Sequence, residues 1–158
     1  MLPALLAQSG RNPVPSAADG MAEAYLDVAA ALRQQDAIDP ARIMLRLALD
    51  LRPDFTAAAL LMAGIHESSH HPRAALEALA NVGAGDPMYG LVRLSRARLL
   101  EQQGHTDEAM AELAALAKTY PDSPVPDIQQ GDILRSKNRY KEAIVAYDRA
   151  VARGAASP

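Results

Sequence analysis

Two kinds of residue recur along this chain at the same interval of 34 residues. The alanines are Ala41, Ala75, Ala109 and Ala143, and the prolines are Pro53, Pro87 and Pro121. A fixed period of this length is the signature of a solenoid, in which one supersecondary unit stacks on the next. The period therefore predicts that the chain of 158 residues repeats one structural unit four times.

Superposing the four units shows which repeat positions are small and which are large. The units span residues 22–55, 56–89, 90–123 and 124–157. Position 8 holds Ala29, Ala63, Ala97 and Gly131, whereas position 24 holds Leu45, Leu79, Leu113 and Tyr147. Apolar residues recur at helical spacing in two stretches of each unit, with a polar break between them. Each unit is therefore predicted to be a helix, a turn and a second helix.

Six residues of the last unit match the consensus positions of a known repeat. They are Gly131, Leu134, Tyr140, Ala143, Tyr147 and Ala150. Together with the period, they make residues 22–154 resemble the tetratricopeptide repeat family. The resemblance implies an all-α fold, a right-handed α-α superhelix of four helix-turn-helix repeats. The run GMAEAYLDVAAAL also resembles an internal segment of longer bacterial proteins of this family.

The ends of the repeats and the start of the chain carry further signals. Pro53, Pro87 and Pro121 are predicted to end the second helices, because proline inside a helix removes a backbone donor. Residues 1–21 are predicted to be a short apolar head followed by a flexible linker rich in Gly, Pro and Ser. Residues 22–158 then form the repeat domain.

Composition narrows the classes of function. The chain has no cysteine, so it contains neither a disulfide nor a thiolate metal site, and no cofactor is expected. A net charge of −3 with scattered basic residues argues against a nucleic-acid surface. No apolar run is long enough for a membrane span, and no secretory signal is recognised. These features fit the cytoplasm or the periplasm, and the compartment stays open.

One string requires a catalytic hypothesis. Residues 66–70 read His-Glu-Ser-Ser-His, which satisfies the H-E-x-x-H pattern of zinc hydrolases. That chemistry needs both histidines on one continuing helix and a third protein ligand. Repeat register places His66 near the end of a helix and His70 in the turn. We therefore predict a noncatalytic protein and keep a zinc-dependent hydrolase as a remote alternative.

Stacked repeats expose a curved inner surface, which is where this class of fold binds partners. In the resembled family, the first helix of each repeat lines this groove. The positions that match it predict a partner-binding set of Leu26, Leu60, Leu61, Gly64, Leu91, Leu94, Arg98, Ile128 and Arg135. An apolar floor with a polar rim suits a peptide or an amphipathic helix of a partner protein. Alternatively, some of these leucines only pack between adjacent first helices.

Self-assembly is the second functional hypothesis. Repeat arrays need a terminal unit with a polar outer face. The last predicted helix instead carries Ile144, Tyr147 and Val151, and the apolar head carries Leu2, Leu5 and Leu6. Either segment could join copies of the chain into a homo-oligomer, so the sequence leaves open both a peptide-binding scaffold and a self-assembling module.

Overall fold

The computed structural model describes residues 16–156, and within them the chain forms eight α-helices and no strand. In chain order the helices are α1 (Ala17–Gln34), α2 (Ile38–Leu51), α3 (Thr56–Ser68), α4 (Pro72–Ala78), α5 (Tyr89–Gln102), α6 (Thr106–Thr119), α7 (Val125–Ser136) and α8 (Tyr140–Ala156). None of the helices in the described part is long and apolar enough to cross a membrane.

The helices pack as four antiparallel hairpins that stack in chain order. Each odd-numbered helix packs on the helix that follows it, and α2, α4 and α6 each pack on the first helix of the next hairpin. The buried apolar residues accordingly form four clusters along the stack instead of one central core. The predicted helical repeat solenoid is therefore confirmed.

Small residues allow the two helices of each hairpin to approach closely. The alanines at position 20 of the repeats, namely Ala41, Ala75, Ala109 and Ala143, are all buried. The residues at position 8, namely Ala29, Ala63, Ala97 and Gly131, are also buried. Large residues at position 24 fill the space between them, since Leu45, Leu79 and Leu113 are almost completely buried. The periodic alanines are thus a packing requirement of the hairpin.

The turn inside each hairpin has the same backbone conformation in all four repeats. Position 15 adopts a left-handed conformation in every repeat, at Asp36, His70, Gly104 and Asn138, with φ between 59° and 80°. The next residue then donates its N–H to a carbonyl five residues back, as in Ala37 to Leu32 at 2.9 Å and His105 to Leu100 at 2.9 Å. This hydrogen bond satisfies a free carbonyl at the end of the first helix.

The second repeat departs from the prediction that proline ends each second helix. Helices α2 and α6 do end two residues before Pro53 and Pro121, but α4 ends at Ala78, well before Pro87. Gly83 and Gly85 make further helix unfavourable in the intervening segment. That segment is held by Asp86, which accepts a hydrogen bond from the Thr56 hydroxyl at 2.6 Å. For Pro87 the prediction is wrong.

Helix α1 begins earlier than the predicted repeat boundary. The Ser16 hydroxyl accepts the N–H of Asp19 at 3.1 Å, which caps a helix that starts at Ala17. Residues 17–21, predicted as part of the linker, are therefore helical. Residues 1–15 of the predicted head and linker, with Leu2, Leu5 and Leu6, lie outside the described residues.

Candidate functional site

The first helices of the hairpins form one side of the solenoid. Helix α1 contacts α3, and α3 contacts α5, although a second helix separates each pair along the chain. Two of the three neighbouring pairs of first helices are therefore in direct contact. This side is the inner surface on which the sequence places the binding residues.

A depression of about 370 Å³ lies on this side, where α3, α5 and α7 meet. Its lining is mainly leucine and valine with a few polar side chains at the edge: Leu60, Leu91, Leu94, Ser95, Arg98, Val125 and Gln129. Leu91 is 53% exposed, and it lies among the other apolar residues of this lining. The depression is therefore an open apolar surface with polar groups around it.

A second depression of about 260 Å³ adjoins the first toward the ends of α5 and α7. Arg98 and Gln129 line both, so the two depressions are adjacent. The floor of the second is again apolar, with Ala97, Leu113 and Ile133, and its edge carries Gln102, Asp132 and Ser136. Together the two depressions offer a path across α5 and α7 that is apolar below and polar at the rim.

The rim is organised by hydrogen bonds between neighbouring first helices. Glu67 on α3 accepts hydrogen bonds from Arg98 Nη2 and from Gln102 Nε2, both at 2.7 Å. Glu101 accepts Thr106 Oγ1 at 2.8 Å and pairs with Lys137 Nζ at 2.9 Å. The charge-assisted hydrogen bond to Glu67 holds the Arg98 guanidinium beside the apolar floor.

Four of the nine residues predicted to bind a partner line the first depression, namely Leu60, Leu91, Leu94 and Arg98. The other five do not. Leu26 and Leu61 are half-buried and pack against the first apolar cluster. For these two leucines, packing between helices accounts for the position.

The remaining three predicted residues are exposed. Gly64 lies on α3, and Ile128 and Arg135 lie on α7. Hydrogen bonding to Tyr147 and pairing with Asp132 raise the pKa of the Arg135 guanidinium, so it keeps its charge. Ser95, Val125 and Gln129 also line the first depression, although they are not among the nine residues predicted to bind a partner. They occupy repeat positions 2 and 6, as Leu91 and Leu61 do, so register places them on the same side of the first helices.

The zinc-hydrolase string does not form the helix that its chemistry requires. His66 lies in α3, where it lines a separate depression of about 460 Å³ with Asp50 and Glu77. His70 lies beyond the end of α3, is exposed, and has a φ of 59°. Burial, helped by the charges of Arg42 and His71, lowers the pKa of His66. Among residues 16–156 no group of three or more His, Asp or Glu side chains could hold a metal ion.

Fold and site together define an α-helical repeat protein with an open apolar groove along its first helices. The tetratricopeptide repeat-like domain family matches residues 15–158. The chain therefore belongs to this family, as the resemblance in the last repeat predicted. A search of curated protein sequences finds no match.

Several solved structures share the fold. A crystal structure of MamA is 16% identical with a TM-score of 0.71, covering 84% of this chain and 77% of that one. MamA from Desulfovibrio magneticus RS-1 is 15% identical with a TM-score of 0.70, covering 86% and 77%. YrrB, described as a TPR protein with an unusual peptide-binding site, is 19% identical with a TM-score of 0.68, covering 84% and 69%. At these identities the likeness shows the fold alone.

Proposed function

We propose that this protein is a noncatalytic scaffold that binds an amphipathic helix or an extended apolar segment of a partner protein along its first helices. The observation that carries the proposal is the apolar depression, lined by the exposed Leu91 and by Arg98, whose guanidinium is hydrogen-bonded to Glu67. An apolar face of the ligand would cover the leucines, and Arg98 would meet an acidic or carbonyl group beside that face.

The proposal assigns distinct roles to the lining residues. Leu60, Leu91, Leu94 and Val125 are the apolar anchors, because they form the floor that a ligand would remove from water. Arg98 and Gln129 set the orientation of the ligand, since they border both depressions. Ile128, exposed one turn after Val125 on α7, extends the apolar surface. The description of YrrB as having a peptide-binding site supports a ligand of this class.

Site-specific photo-crosslinking tests the proposal directly. A photoreactive phenylalanine analogue replaces Leu91 in the full chain, and captured proteins are identified from the native lysate. The matched control carries the same analogue at Ile43, which is 58% exposed on α2, a second helix. We expect a partner that crosslinks at Leu91 and not at Ile43.

The captured partner then allows a quantitative test with defined variants. Leu91→Glu should weaken its binding by about tenfold or more, because an apolar anchor would be replaced by a charge. Ile43→Glu introduces the same charge outside the groove and should leave the affinity unchanged. Equal capture at both positions, or equal affinity of both variants, would place binding elsewhere on the protein.

A further inference from the structure

The junctions between hairpins follow one rule that involves position 10 of the first helices. This residue is Ile65 in α3, Leu99 in α5 and Ile133 in α7, and all three are buried. Each of them belongs to the apolar cluster built by the hairpin before it. The side of a first helix that carries position 10 is thus the surface that packs against the preceding repeat.

Among residues 16–156, no hairpin covers the same surface of helix α1. Its position 10 is Ala31, and positions 3 and 7 are Ala24 and Val28, all exposed. The equivalents of Ala24 in the later repeats, Ala58, Val92 and Pro126, are buried. We call Met21, Ala24, Val28 and Ala31 the leading face. It is apolar, includes the small residues Ala24 and Ala31, and occupies the register of a junction surface.

Helix α8 presents the opposite half of a junction. At position 21, Leu76 and Met110 each pack against the cluster of their own hairpin and that of the next. At position 28, Leu49 does the same. The equivalents in α8 are Ile144 and Val151, which are 59% and 71% exposed. We call Tyr140, Ile144 and Val151 the trailing face, which carries large apolar side chains.

We propose that the trailing face of one copy binds the leading face of a second copy, so that the solenoid continues from one molecule into the next. The interface repeats the junction that already holds the four hairpins together. Large residues on α8 would meet small residues on α1. The fourth apolar cluster, which contains no residue from position 10 of a following helix, would then be completed by Ala31 of the second copy. This inference goes beyond the groove function and does not depend on it.

The geometry of the proposed contact dictates its symmetry. At each internal junction the second helix of one hairpin packs on the first helix of the next, so a second-helix surface meets a first-helix surface. The contact between copies is therefore head-to-tail, and such a contact adds molecules one after another unless it closes into a ring. A twofold dimer made from two trailing faces or two leading faces is excluded by the proposal.

Sedimentation of the full chain over a wide concentration range tests this inference. We expect the mass of the wild-type protein to rise with concentration beyond that of a dimer. Val28→Glu and Ile144→Glu, each on one face, should weaken the association by about tenfold or more, because a charge would be buried in an apolar contact. Leu91→Glu, in the groove, is the control and should assemble as the wild type does.

Mixing the two face variants gives the sharpest result. Val28→Glu retains an intact trailing face and Ile144→Glu an intact leading face, so an equimolar mixture should form a dimer that cannot grow. Ala31→Glu and Val151→Glu repeat the experiment at second positions, and circular dichroism checks that every variant is folded. A wild-type chain that stays monomeric at every concentration, or either variant dimerising alone, would overturn the proposal.

Discussion

The ring of Tyr147 lies directly over the Cα of Gly131. A Cβ atom added to Gly131 would lie 2.7 Å from both Cδ1 and Cζ of that ring. The Tyr147 hydroxyl also donates a hydrogen bond to Asp132 Oδ1 at 2.8 Å, which fixes the ring in place. The earlier repeats pair alanine with leucine at these two positions. The last repeat uses the smallest residue because its large partner is a tyrosine.

The Gly131→Ala variant should therefore lose stability. The methyl group would overlap a ring that cannot turn away without breaking its hydrogen bond, and overpacking of this kind costs about 1–3 kcal/mol. Gly64→Ala is the matched control, because Gly64 is also helical and its Cβ would meet nothing within 4 Å. There alanine should stabilise the helix by roughly 0.5–1 kcal/mol. Urea denaturation measures both; a neutral Gly131→Ala would contradict the assigned packing.

The left-handed turns predict two opposite effects at equivalent positions. His70 has a φ of 59°, which costs an ordinary residue about 1–2 kcal/mol, so His70→Gly should raise the free energy of unfolding by about 0.5 kcal/mol. Gly104 has a φ of 80°, so Gly104→Ala should lower it by about 1 kcal/mol although nothing contacts the added methyl group. Thermal denaturation compares the two. If both variants changed the free energy of unfolding in the same direction, the turns at His70 and Gly104 would not share the left-handed conformation.

The ion pairs of Asp127 should contribute to the stability of the last hairpin. It is 2% exposed on α7, and its two oxygens pair with Arg149 at 2.9 Å and Arg153 at 2.7 Å, both from α8. Asp127→Asn should cost about 2 kcal/mol, less than a fully buried pair, because both arginines reach solvent. The exposed pair of Asp50 with Arg46 is the control, and Asp50→Asn should cost less than about 0.5 kcal/mol. Equal costs would contradict the ranking.

The sequence predicted the repeat and its hairpins because both follow from local rules. Small and large residues at fixed offsets determine how two helices pack, and Asp, His, Gly and Asn at position 15 are the residues that tolerate a left-handed turn. The shortened α4 was not predicted, because Pro87 keeps its place in the period although the helix ends at Ala78. Periodicity describes the average repeat and hides a local exception of this kind.

The candidate site was predicted only in part for a different physical reason. Register selects residues on the first helices, and the half-buried Leu60 and Leu61 pack against different apolar clusters, the second and the first. Only Leu60 also lines the depression, because that depends on how α5 and α7 approach α3, which register does not specify. The hydrogen bonds from Arg98 and Gln102 to Glu67 join residues more than 30 positions apart and depend on side-chain rotamers.

The lowered pKa of His66 should make the stability of the protein depend on pH. Burial, with the charges of Arg42 and His71, lowers its pKa in the folded protein below the ordinary value of about 6.5 that it keeps in the unfolded chain. Between the two values the unfolded chain binds more protons, so the free energy of unfolding should fall as the pH drops below about 6.5. His66→Gln should flatten this dependence, whereas His105→Gln, at an exposed histidine, should retain it. Urea denaturation at several values between about pH 5 and 8 measures how steeply the free energy of unfolding depends on pH. If His66→Gln left this dependence unchanged, the lowered pKa of His66 would not be its cause.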